Sequence, residues 1–111
     1  MSNTMQRILK LRDGAKSADV VVSIFWPEPR ENSWFSDWTI IWPDRARKGS
    51  AGGTDAIQAL LGALKIIGTE LYCSAEHQDK RLFWADDWSG YGFPVPNGMR
   101  DALTGDDAKY L

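Results

Sequence analysis

The sequence predicts one α+β domain, an antiparallel β-meander of about four to five strands packed on one long α-helix, with a short C-terminal helix. Three observations predict it. Apolar and polar residues alternate with a period of two through much of the first 42 positions, which is the strand pattern. One apolar stripe then recurs at three- and four-residue steps from Ile57 to Tyr72, which is the helix pattern. No helical segment separates the early strands, so the crossovers that a parallel sheet needs are missing. The 111 residues suit a single domain over 1–111. A chain of that length buries roughly two-thirds of its unfolded surface, so its core needs no metal or disulfide staple.

In Met5–Arg12, Leu9 and Leu11 alternate with Lys10 and Arg12, and Asp13-Gly14 supplies a turn. Asp19–Trp26 resumes the alternation, with Val20, Val22, Ile24 and Trp26 on one face. The two segments form a hairpin with an expected loop of several residues. Two prolines and a polar run make 27–33 a loop. In the third strand, Trp34–Trp42, the residues Trp34, Trp38, Ile40 and Trp42 share one face. Ala46–Ala51 is a fourth strand only weakly encoded, because Gly49 and small residues dominate it. The helix stripe comprises Ile57, Leu60, Leu61, Leu64, Ile67, Leu71 and Tyr72. Asp55 and Gln58 have capping-box spacing at its start. The helix is expected to reach about Ser74, with a bend at Gly68, and Ala59, Gly62 and Ala63 allow a close approach to the sheet. Leu82–Trp84 reads as a last strand. Tyr91–Pro96 is extended by its prolines. Asn97 caps a short helix over Gly98–Leu103 that Gly105 stops, and Asp106–Leu111 is a loose polar tail.

Composition narrows the function. The net charge of −2 creates no general attraction to nucleic acid. The charge is uneven, with +2 in residues 1–53 and −4 in 54–111, which suits a basic protein partner. No apolar run is long enough for a membrane span or a signal sequence. The single cysteine, Cys73, suits a reducing compartment, and cytoplasmic residence is expected. A Trp-rich edge strand could pair with its twin, which allows a homodimer.

Several constellations could carry chemistry. Lys48, Ser50, Gly52, Gly53 and Thr54 lie in a glycine-rich stretch running into a helix start, where free N–H groups can cradle a phosphate. The stretch matches neither a P-loop nor a dinucleotide fingerprint, and Asp55 stands where the anion would sit. Arg45, Arg47 and Lys48 lie near Trp38 and Trp42, but three charges are a weak nucleic-acid signal. His77 lacks the companions of a metal site, so it reads as a surface histidine. Cys73 reads as a semi-buried structural thiol, and the pairs Asp86/Asp87 and Asp106/Asp107 read as solvated surface. No cofactor, metal or catalytic residue is assigned. Trp88 sits in the polar turn 86–90. With Asp86, Asp87, Tyr91 and Phe93 it forms either an exposed aromatic patch rimmed by acid or a folded-back core plug.

The run Thr54-Asp55-Ala56-Ile57-Gln58-Ala59-Leu60, followed by Ala63-Leu64, Ile67-Gly68 and Leu71-Tyr72, resembles the core of a family of uncharacterised small bacterial proteins. Gly90-Tyr91-Gly92-Phe93-Pro94 resembles that family's later motif. The resemblance spans most of the chain. It implies a bacterial, cytoplasmic, single-domain protein and carries no activity or catalytic residue. In architecture alone the chain is also similar to toxin-immunity proteins. The function expected is therefore a non-enzymatic protein-binding module, immunity-like, in which Trp88, Tyr91 and Phe93 anchor in a partner while Asp86 and Asp87 meet its basic groups. The alternative is a small-molecule or nucleotide-phosphate binder using the glycine-rich stretch.

Overall fold

The first hairpin sets the frame for everything that follows. In the computed structural model, which describes residues 4–111, β1 (Thr4–Asp13) and β2 (Lys16–Phe25) are fully paired antiparallel strands. Their turn is shorter than expected, with only Gly14 and Ala15 between the paired Asp13 and Lys16. Gly14 has φ +64°, the conformation that a two-residue hairpin turn requires at its first position. The register places Leu9 opposite Val20, Arg7 opposite Val22 and Met5 opposite Ile24 on one face.

β2 also pairs with β4 (Ser33–Ile41), and β3 (Glu28–Arg30) continues along the same side of β4. Ile24 faces Trp38 and Glu28 faces Phe35, so three residues on one side span what two span on the other. That extra residue is a β-bulge. The buried Ser36 hydroxyl donates to the Phe25 carbonyl at 3.1 Å and secures it. The bulge corrects the sequence reading of Trp26. Its parity with Val22 and Ile24 is broken, and it lies 56% exposed. Trp38 and Trp42 keep the expected parity and are buried.

β5 is a full strand, Ala46–Gly53, paired with β4 along its whole length. The spatial order is therefore β5-β4-β2-β1-β6, with β3 extending β2 and with β6 (Leu82–Phe83) pairing with β1. The small residues of β5 have steric causes. A Cβ on Gly49 would lie 2.7 Å from the Trp38 ring, and one on Gly53 would lie 2.5 Å from the Ala59 nitrogen.

α1 (Ala56–Tyr72) covers one face of the sheet. Asp55 accepts from the Gln58 N–H at 2.8 Å, while Gln58 Oε1 accepts from the Thr54 N–H at 2.6 Å. The helix sits rotated from the expected stripe. Ala59, Ala63, Ile67, Gly68, Leu71 and Tyr72 are buried, whereas Leu61 is exposed and Ile57 is 70% exposed. At the N-terminal half of the helix small residues meet small residues of β5, with Gly53 against the Ala59 backbone and Gly62 facing Ala51. The helix continues through Gly68 and ends at Tyr72, with Cys73 as its C-cap. Ser74 then caps a short separate helix, α2 (Ala75–Gln78), by accepting from the His77 N–H at 3.1 Å. Glu76 of α2, buried, accepts from Arg45 at 2.7 and 3.1 Å, which holds its carboxyl below the usual range.

After β6 the chain crosses the flank of α1, forms a 3₁₀ turn (Asn97–Ala102) and ends in α3 (Gly105–Tyr110). The expected loose tail is thus a helix. Gly105 opens it rather than stopping the preceding turn.

Candidate functional site

Three of the aromatic-acidic loop residues lie at the surface and two do not. Trp88 is 42% exposed, and Asp86 and Asp87 are exposed. Tyr91 and Phe93 are core residues, 2% and 3% exposed. The anchoring role expected of them is corrected by this burial, because neither ring can enter a partner's pocket from there. Gly90 and Gly92, at φ +95° and +76°, turn the chain inward. A Cβ on Gly92 would strike the Arg7 guanidinium.

Tyr91 belongs to a buried polar cluster that sequence reasoning missed. Its hydroxyl bonds His77 Nδ1 and also reaches the Leu82 carbonyl at 3.4 Å. The Tyr72 hydroxyl donates to Asp107 Oδ2 at 2.5 Å. Asp107 also accepts from the N–H groups of Tyr91 and Gly92 at 2.8 and 2.9 Å. Burial, reinforced by Asp107, raises both tyrosine hydroxyls above their ordinary range, and burial alone lowers the imidazole. Trp88 closes the cluster by stacking on His77, at 4.7 Å between centroids and 8° between planes. His77 and Asp107 are therefore not the surface residues that their polar surroundings in sequence suggest. The signal that could have revealed them is the pair of nearby glycines, which mark backbone in unusual conformations.

The other expectations also meet geometry. Cys73 is exposed rather than semi-buried, and the His77 ring is engaged with Tyr91. Arg45 and Arg47 are paired with Glu76 and Glu70. Trp38 and Trp42 are buried and present no stacking surface for bases. Lys48, Ser50, Gly52 and Gly53 lie in a strand rather than a loop. At the helix start, the Thr54 N–H, the Thr54 hydroxyl and the Gln58 N–H all have side-chain partners. Those three donors are thus engaged within the chain. Among the described residues, no three of His, Cys, Asp and Glu are placed to hold a metal ion. No helix among them is long and apolar enough to cross a membrane.

The surface that stands out is the sheet face opposite α1. Ile8 pairs with Val21, and Val21 with Ile41, so three β-branched residues form one row across β1, β2 and β4. Ile8 is 48% and Ile41 is 45% exposed. Phe25, at the bulge, adds exposed apolar area. Around the row lie the Lys10–Asp19 pair and the Arg30–Glu28 and Arg30–Asp37 pairs. Arg12 stacks on Phe83 and bonds Asp87, which fastens the Asp86–Trp88 turn to one end of this face.

No curated protein and no solved structure matches this chain. One family does, over residues 5–95, and it takes in both the capped helix and the Tyr-Gly-Phe-Pro segment. The chain belongs to the family described as Domain of unknown function (DUF6968).

Proposed function

We propose that the domain is a non-enzymatic protein-binding module, immunity-like in its manner of acting, and that the uncovered sheet face is its binding surface. The observation that carries this reading is the Ile8–Val21–Ile41 row on a sheet with a helix on only one side. An apolar centre within a charged rim is the usual anatomy of an interface. The Asp86–Trp88 turn supports the reading, because Asp87 bonds Arg12, which stands on the same strand and face as Ile8, and so brings exposed carboxylates to one end of that face. Carboxylates at a rim act mainly on the encounter rate with a basic partner.

The test is affinity capture from the native cell with four forms of the protein. Wild type is expected to retain a stoichiometric basic partner. An Ile8→Lys, Ile41→Lys double variant is expected to lose it while keeping its circular dichroism spectrum, and Trp88→Ala or Asp86→Lys to weaken it. Should the captured partner be a second copy, the solution mass will double and the double variant will halve it. An empty wild-type capture with a monomeric mass, or equal retention by all variants, overturns the proposal.

A further inference from the structure

We propose that the cleft between β1, β2 and the N-terminal half of α1 binds a small apolar carboxylate, with Arg7 as the residue that holds the anion. This is independent of the protein-binding reading, since the cleft opens on the helix side of the sheet.

Arg7 is the reason. It points to the covered face, where its neighbours in β1 and β2 are apolar. Its Nη1 donates to the carbonyls of Tyr91 and Gly92 at 3.1 and 3.2 Å. Its guanidinium lies between two rings, 3.9 Å from the Trp84 centroid and 4.9 Å from that of Phe93. Unlike Arg12, Arg30, Arg45 and Arg47, it has no carboxylate within ion-pair distance among the described residues. Asp107 attracts it from further away, but both Asp107 oxygens accept hydrogen bonds from Tyr72, Tyr91 and Gly92. Arg7 is thus a partly desolvated, rigidly held cation whose Nε and Nη2 make no hydrogen bond among the described residues. Such a fork matches a carboxylate.

The rest of the cleft defines the remainder of the ligand. Val22, Ile24, Leu60, Leu64 and Phe93 join Arg7 in lining a space of about 240 Å³. That falls just below the roughly 300–1,000 Å³ of sites for drug-sized ligands, so the occupant is small. Among the described residues no acid lines the cleft. The Tyr91–Val95 segment lies against α1 at Gly68 and Tyr72, and its Phe93 closes the cleft across from Leu60 and Leu64. Nearer the helix start that flank is uncovered, and the exposed Ile57 and Leu61 extend the apolar surface past Leu60 and Leu64. A short acyl chain leaving the guanidinium would run along it.

Octanoate is the probe, with octanol as a neutral chain of equal length and acetate as a carboxylate without a chain. Binding to the purified full-length protein is followed by calorimetry and by indole fluorescence, since Trp84 packs on the cation. Octanoate is expected to bind saturably and roughly tenfold or more tighter than octanol, with no heat from acetate. Arg7→Gln is expected to reduce octanoate to the level of octanol and to leave octanol unchanged. Where Arg7→Gln does not fold, Leu60→Glu, at a half-buried helix position, is expected to weaken octanoate selectively. Octanoate binding no tighter than octanol, the absence of saturable binding, or full octanoate binding by a folded Arg7→Gln protein overturns the proposal.

Discussion

A buried imidazole with an indole stacked on it makes one residue, His77, a sensor of acidity for the whole domain. Burial lowers its pKa below the ordinary value of 6.5, so the folded state prefers the neutral ring. The unfolded chain takes up the proton first as the pH falls. The contribution of His77 is therefore intact above about pH 6.5 and is lost as the pH drops from there through the folded pKa. Tyr91, Tyr72 and Trp88 surround the ring, and none of them supplies a negative charge to compensate. The carboxylates Glu76 and Asp37, held by Arg45 and Arg30, act lower, below their ordinary values of 4.5 and 3.8. We predict that the thermal midpoint declines between pH 6.5 and 5 in the wild type and that His77→Gln flattens that part of the profile, starting from a lower midpoint. A parallel decline in both proteins would mean that His77 is not the titrating group. None of this was legible in Ser74–Asp79, because burial of His77 follows from the Ser74 cap and the Arg45–Glu76 pair. The cap is local, but the ion pair reaches across 31 positions and cannot be read from that polar stretch.

At the scale of elements, the capped helix and the Tyr-Gly-Phe-Pro segment are two parts of one contact. Gly68 sits where the chain crosses the flank of α1, and a Cβ there would overlap the Pro94 carbonyl oxygen. The glycine is thus kept for close approach, and the helix runs through it without a break. Elsewhere Gly→Ala inside a helix stabilises by about 1 kcal/mol. Here overpacking of about 1–3 kcal/mol or more opposes that gain. We predict that Gly68→Ala lowers stability in urea denaturation, whereas Gly98→Ala, with nothing within 4 Å of the added carbon, leaves it within about 0.5 kcal/mol. A stabilised Gly68→Ala protein would show that the segment lies off the helix in solution. The helix, its cap and the hairpin were readable because their signals are local and periodic. The rotation of α1 was not, since the apolar stripe is wider than the face that meets the sheet and does not say which of its residues, Ile57 and Leu61 among them, stay outside. The strand β5 was obscured for a related reason. Its glycines, which read as a connection, make room for an indole and a helix.

The whole molecule is two layers with one covered face and one open face, and that asymmetry has a direct energetic consequence. Ile40 and Ile41 are neighbours in β4 with side chains on opposite faces. Ile40 is completely buried beneath the helix, whereas Ile41 ends the exposed apolar row. A lysine at 40 would remove a buried side chain and place an unpaired charge in the core, at a cost of roughly 3–5 kcal/mol. That is a large part of the roughly 5–15 kcal/mol that holds a domain together. A lysine at 41 keeps its charge in water and is expected to change stability by no more than about 0.5 kcal/mol. We therefore predict that Ile40→Lys is largely unfolded or loses most of its urea midpoint, and that Ile41→Lys unfolds like the wild type. The two-residue period in the sequence had already separated these positions, but it could not say which face the helix would leave open to this degree. Equal loss of stability in both variants would mean that the row is covered in solution. A mass measurement across protein concentrations would then show whether a second copy covers it, since a self-associated wild type would dissociate on Ile41→Lys while a monomer would not change.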